Sequence, residues 1–207
     1  IAAAAARDPD LAAIINGADL VVPDGIGVVA ASRLLGDPLP EKVGGCDLAI
    51  NLLAALERRG GGRIFLLGTR PEVVAEAARR LADAYPHVDV VGWRDGFFRP
   101  EEEPEILAQI REARPDVLFV ALGSPKQERW LHRHLRSLGV PLGMGVGGTI
   151  DVWAGAVPRA PEWMLRANLE WLYRIVRLRR VSRSVPPLVR FALAVLGERW
   201  RRGRSHK

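Results

Sequence analysis

The chain has 207 residues, 48% hydrophobic and 26% charged, enough for one sizeable domain with a core of its own and too apolar for wholesale disorder. A single cysteine, Cys46, excludes an internal disulfide framework, and the four histidines (His87, His132, His134 and His206) form no zinc-type cluster. Charge is uneven: between Arg166 and Lys207, eleven arginines and one lysine stand against Glu170 and Glu198, a net of +10, so with the whole chain at +6 the remainder carries −4.

The chain opens with Ile1 and the alanines Ala2 to Ala6. This reads as an incomplete N-terminus rather than a signal peptide, because no basic n-region precedes it and the alanines run into a helical pattern. No stretch reaches the ~18–20 apolar residues of a membrane span. The longest late candidate, Val185 to Leu196, is too short and carries Pro186, Pro187 and Arg190.

Short apolar runs then alternate with helical patterns. Strands are predicted at 19–22, 63–67, 88–91, 117–121 and 141–146, and helices near 46–59, 71–85, 102–113 and 125–138. Gly68-Thr69-Arg70-Pro71 after the second run is a strand-turn-helix signal with proline at the first helical position. The run Glu101-Glu102-Glu103 is read as a solvated helix start, where negative charge suits the dipole. His132 and His134, two apart on the fourth of these helices, point to different faces and make no metal pair. Such alternation predicts an α/β fold, a Rossmann-like parallel sheet with helices on both faces. Near Pro158 the chain changes character. Residues 162–180 read as one helix, 182–187 as a break, and 188–202 as a second amphipathic helix. The expected organisation is an α/β domain over 1–160 and a helical, basic C-terminal appendage over 161–207.

Three turns could carry chemistry. Ligands of open parallel sheets bind at the carboxyl ends of strands, and Pro23-Asp24-Gly25 would follow the first strand. Asp24 there either caps a helix, with Gly25 completing a turn, or acts as a reactive carboxylate. Gly123-Ser124-Pro125-Lys126-Gln127-Glu128 follows the strongest strand. Gly123 permits close backbone approach and the helix start favours a phosphate, with Ser124 and Gln127 as neutral partners and Lys126 or Arg129 as charge; a capped helix with exposed charges is the alternative. Gly143 to Asp151 is dense in glycine and can form an anion-binding nest, or simply pack tightly against a cleft floor. Its Gly143, Gly145 and Gly148 spell G-x-G-x-x-G without the βαβ register of a dinucleotide fingerprint, and no Walker A loop is present.

Taken with Pro38-Leu39-Pro40-Glu41-Lys42-Val43, Gly45 and Asp47, Ala154-Gly155, Arg159-Ala160-Pro161 and Leu169-Glu170-Trp171-Leu172-Tyr173-Arg174, these turns resemble the WecG/TagA/CpsF glycosyltransferases of bacterial cell-surface polymer synthesis. The resemblance spans nearly the whole chain. It implies inverting, metal-independent and cofactor-free transfer of a hexosamine or hexose from a UDP-sugar to a sugar linked through diphosphate to undecaprenol. Asp24 is the implied general base, suited to removing the acceptor's hydroxyl proton. Implied substrate contacts are Gly25, Lys42, Gly123, Ser124, Lys126, Gln127, Gly147, Gly148, Thr149 and Asp151. Lys42 stands where the family has arginine, giving charge without a bidentate fork. The positions of the family's T-x-N motif, upstream of Pro23-Asp24-Gly25, fall within the initial alanines or before Ile1.

The family also accounts for the basic tail as a membrane-associating appendage, placing the protein on the cytoplasmic face of the bacterial membrane. Arg174, Arg177, Arg179 and Arg180 are the implied contacts to the acceptor diphosphate or lipid, and Trp171, Tyr173, Phe191 and Trp200 the interfacial anchors. Trp163, Leu169 and Leu172 read as a core-facing stripe. The apolar tail serves equally to lie on lipid or to pair subunits into a homo-oligomer. A nucleic-acid-binding module is the weaker alternative, since the tail carries no nucleic-acid motif. A Rossmann-like epimerase or dehydrogenase would need an early dinucleotide fingerprint, which is missing.

Overall fold

The structure, a computed structural model, describes residues 1–177 and 181–205. The chain opens with α1 (Ala2–Ala5), α2 (Pro9–Asn16) and α3 (Ile26–Leu35). Helices and strands then alternate: α4 (Gly45–Arg58), β1 (Gly62–Gly68), α5 (Pro71–Ala84), β2 (Val88–Arg94), α6 (Glu103–Ala113), β3 (Val117–Ala121), α7 (Lys126–Leu138), β4 (Leu142–Gly145) and α8 (Thr149–Trp153). Last come α9 (Glu162–Arg166), α10 (Glu170–Arg177) and α11 (Val181–Ser205). Contacts divide the chain into two compact units. Asp8–Ala18 and Gly45–Pro158, with Ile1, form the first; Ala2–Arg7, Asp19–Gly44 and Arg159–Lys207 form the second.

In the first unit four parallel strands make one sheet in the order β2-β1-β3-β4. The strands are apolar on both faces because both faces are covered. Ile64 and Leu66 of β1 and Val117 and Phe119 of β3 pack on one side with Leu53 of α4, Val74 and Leu81 of α5 and Ile150 of α8. Their neighbours Phe65, Leu67, Leu118 and Val120 point the other way, against Ile106 and Ile110 of α6 and Trp130 of α7. The period of two along each strand therefore splits one run of residues between two cores. The expected Rossmann-like α/β architecture is present.

The Glu101–Glu103 run does more than favour a helix dipole. Residues Pro100–Glu102 form a 3-10 turn before α6. Glu102 accepts from the Arg99 backbone N–H at 3.0 Å and pairs with Arg94 at 3.0 Å, while Glu103 accepts from the indole of Trp130 at 2.9 Å. These bonds hold the Arg99 amide and the Arg99 and Arg94 guanidinium groups beside Glu102, keeping its carboxyl below the usual range.

The second unit differs from the sequence expectation in three places. Residues 19–22 are not a strand: Leu20 and Val21 are 71% and 57% exposed, and the segment pairs with no strand among the described residues. A four-residue apolar run specifies a strand only if a neighbouring strand takes up its backbone groups. Residues 162–180 are not one helix. Asn168 turns left-handed (φ 58), and the Leu169 N–H donates back to Met164 O, which closes α9 as a C-terminal cap before α10 begins. The expected break at 182–187 is absent, since α11 runs through Pro186 and Pro187. Proline's fixed φ is itself compatible with a helix, so the two residues continue α11 at the loss of their N–H donors. Farther along α11, the Phe191 ring comes to 4.0 Å from where a side chain on Gly27 of α3 would begin.

Candidate functional site

β1 and β3 are neighbours whose chains leave in opposite directions, β1 through α5 toward β2 and β3 through α7 toward β4. The connections after their carboxyl ends part to opposite sides, which makes this the topological switch point at which open α/β sheets hold ligands. Four segments meet there: Gly68-Thr69 after β1, residues 95–99 after β2, Leu122-Gly123-Ser124 after β3, and Val146 to Asp151 after β4.

Thr69 ties them together. Its N–H donates to Ala121 O (3.3 Å), its carbonyl accepts from Gly96 N–H (2.9 Å), and its hydroxyl donates to Asp151 Oδ1 (2.9 Å). Its φ of 54 is left-handed, a conformation that strains a β-branched residue by of order 1–3 kcal/mol. Gly96 is small by necessity, for a Cβ there would lie 3.1 Å from Gly68 Cα and 3.2 Å from Thr69 N. The loop carrying it presents Phe97, 75% exposed, with its backbone N–H held by Asp95 Oδ1 at 2.9 Å.

At the end of β3, Gly123 takes φ 78, Ser124 is exposed and joined to Pro125 through a cis bond, and Lys126 starts α7 with its ammonium 5.0 Å from the centre of the Phe98 ring. Arg129, the other candidate cation, pairs with Asp8, which also caps α2 by accepting from Leu11 N–H at 3.0 Å. Gln127 is buried. Its Oε1 accepts from Gly147 N–H at 3.1 Å and its Nε2 donates to Glu128 Oε1 at 3.0 Å. Its side chain lies directly over Gly145, where a Cβ would come within 2.8 Å of Nε2. Gln127 thus braces the glycine turn that follows β4. Gly147 (φ 51) and Gly148 lead into α8, whose first residue Thr149 is buried and whose Asp151 receives the Thr69 hydroxyl.

The structure therefore gathers Gly123, Ser124, Lys126, Gln127, Gly147, Gly148, Thr149 and Asp151 along one sheet edge. Sequence inspection missed Thr69 and Phe97. The signal available was position alone: Thr69 directly follows β1, and Phe97 lies three residues beyond the end of β2.

In the second unit, the Val43 N–H donates to Pro23 O at 3.1 Å. That bond sets Lys42 beside the turn of Asp24 and Gly25. Gly25 is itself the N-cap of α3, with no side chain to cap it. Arg174 and Arg177 lie on α10, and Arg179 and Arg180 fall outside the described residues. Trp163 and Leu172, expected to face a core, are 65% and 38% exposed. Neither α9 nor α10 spans enough residues to bury a continuous stripe. Val189, Leu193, Leu196 and Trp200 recur every three or four residues along α11 and are all more than half exposed. Among the described residues no helix is long and apolar enough to cross a membrane.

A doubly wound α/β sheet with glycine turns and fixed polar groups at its carboxyl edge has the build of the folds that hold small ligands at that edge. The model of the glycosyl transferase WecG/TagA/CpsF family matches residues 1–205, and the chain belongs to that family of enzymes. It is 37% identical over 202 residues (96% of this chain, 76% of the relative) to the N-acetylglucosaminyldiphosphoundecaprenol N-acetyl-beta-D-mannosaminyltransferase of Bacillus subtilis (strain 168). The enzymes of the same name from Bacillus spizizenii (strain ATCC 23059 / NRRL B-14472 / W23) and Staphylococcus aureus (strain NCTC 8325 / PS 47) are 34% and 36% identical. Those matches cover 93% and 84% of this chain and 74% and 68% of the relatives.

Proposed function

We propose that this glycosyltransferase moves N-acetylmannosamine or a closely related hexosamine from a UDP-sugar to N-acetylglucosaminyl-diphosphoundecaprenol, with inversion and without a metal. The observation that carries the reading is the identity to enzymes of that name along nearly the whole chain. The sheet edge supplies chemistry that suits a nucleotide-sugar. Asp151 offers a carboxylate to donor hydroxyls, and exposed Phe97 offers a flat ring for a base to stack on. The positive end of the α7 dipole, with the Lys126 ammonium beside it, suits a diphosphate.

The transfer needs one proton acceptor. The acceptor sugar's hydroxyl oxygen attacks the anomeric carbon from the side opposite the diphosphate; the bond to the UDP oxygen breaks as the new glycosidic bond forms. Asp24 takes the hydroxyl proton, and UDP leaves with the electron pair, its growing charge favoured by Lys42. The second unit also supports peripheral attachment to an anionic membrane. The α11 stripe can enter the interface while Arg174, Arg177, Arg179 and Arg180 meet phosphates.

Calorimetry with UDP, UDP-N-acetylmannosamine and NAD, followed by turnover of Asp24→Asn, tests the proposal. Binding of the UDP ligands but not NAD is expected, with a rate loss of about 10²–10⁴-fold in the variant. Binding of NAD alone refutes the donor, and a folded Asp24→Asn enzyme of normal turnover refutes the base. Loss of activity in a chelator, restored by magnesium or manganese, refutes metal independence.

A further inference from the structure

We infer that Thr69 is a positioning residue, which fixes the Asp151 carboxylate so that its second oxygen is presented to the hydroxyls of the nucleotide-sugar. This rests on the donor site proposed above and adds to it a residue that no sequence motif marked.

The geometry is specific. Thr69 occupies a left-handed conformation (φ 54) that glycine would adopt freely and that a β-branched side chain resists. Its backbone is fixed on both sides, by Ala121 O and by Gly96 N–H, so the hydroxyl has a defined place in space. That hydroxyl donates to Asp151 Oδ1 at 2.9 Å across 82 residues of sequence. Asp151 is anchored in turn, because its carbonyl accepts from Val157 N–H at 3.1 Å. With Oδ1 engaged, Oδ2 has no hydrogen-bond partner among the described residues. A strained residue whose only polar side-chain atom points at a half-buried carboxylate is better explained by that contact than by the turn, which glycine would make at lower cost.

The chemistry follows from the bond. A carboxylate free to rotate must be ordered when it accepts a ligand hydroxyl, and that loss of freedom weakens binding. Donation from Thr69 orders it beforehand. Removing the hydroxyl should therefore weaken donor binding rather than slow the chemical step.

Three variants separate this from a merely structural role. Thr69→Val keeps the branched shape and strain but loses the donor. Thr69→Ser keeps the donor. Thr69→Gly loses the donor and releases the strain. The expected result, by calorimetry with UDP, is a Kd raised about tenfold in Thr69→Val and Thr69→Gly and within about twofold of wild type in Thr69→Ser. Donor KM should follow Kd, with kcat little changed. Thr69→Gly should melt at or above the wild-type temperature while binding more weakly, a split that loss of structure would not produce.

Wild-type Kd values in Thr69→Val and Thr69→Gly overturn the inference. So does an Asp151 side chain that NMR couplings show in the same single rotamer with and without the hydroxyl. That last measurement needs no ligand, so it decides the positioning role even where wild-type protein binds no UDP. Absence of UDP binding by the wild type would overturn the donor reading, and with it the role assigned to Asp151 toward a nucleotide.

Discussion

Gly145 offers the sharpest test of how the sheet edge is built. It ends β4, paired with Val120, and its backbone is one that alanine adopts without strain. The cost of Gly145→Ala is therefore contact alone. The new methyl would stand 2.8 Å from Gln127 Nε2, 3.2 Å from Cδ and 3.3 Å from Cγ, so the buried glutamine must move. Overpacking of this kind costs about 1–3 kcal/mol. If Gln127 swings away, the Gly147 N–H also loses its acceptor, which adds about 1–3 kcal/mol if the donor stays buried. A total near 2–6 kcal/mol should lower the melting temperature by roughly 4–24 °C in a chain of this size. The assay is urea and thermal unfolding of wild type, Gly145→Ala, Gln127→Ala and the double variant. Because the three atoms nearest the new methyl all belong to Gln127, Gly145→Ala should cost under about 0.5 kcal/mol once Gln127 is alanine. An undiminished cost in the Gln127→Ala background would refute the contact argument.

Other outcomes follow from the same bonds. Asp8→Ala should lower the urea midpoint by removing both the α2 cap and the pair with Arg129, whereas Asp8→Asn, which still caps, should recover most of the loss. Burial holds His134 below the ordinary histidine value of 6.5, against the pull of Glu103. The unfolded chain therefore binds the proton first as pH falls, so stability is complete above about pH 6.5 and declines as pH drops from there toward the folded-state value. Urea midpoints at pH 7.5 and 5.5 should show a decline that His134→Gln reduces; an unaltered slope would count against the burial argument. Leu193→Glu and Trp200→Glu should each weaken sedimentation with anionic vesicles more than tenfold, given about 1.5–3 kcal/mol per buried apolar side chain. Unchanged sedimentation in both would leave the α11 stripe to subunit pairing, visible as a concentration-dependent mass.

The α/β alternation was legible in the chain's local pattern, because burial on both faces demands continuous apolar runs such as Ile64 to Leu67 and Leu118 to Val120, and helices demand the longer period. That pattern also marked the turns at Gly123 and Gly147, since left-handed backbone favours glycine. Local chemistry suffices for such features. It misjudged 19–22, where an apolar run has no partner strand, and 162–180, where Asn168 supplies a left-handed cap inside a helical pattern. Which residues meet at the sheet edge was decided only by tertiary structure. Thr69 and Asp151 lie 82 residues apart, and Gln127 reaches Gly147 across 20. Such pairs exist because parallel strands bring their carboxyl ends to one side, and strand order sets which ends are neighbours. No local pattern encodes that order, so the hydroxyl that holds Asp151 became visible only when β1 and β3 were placed side by side.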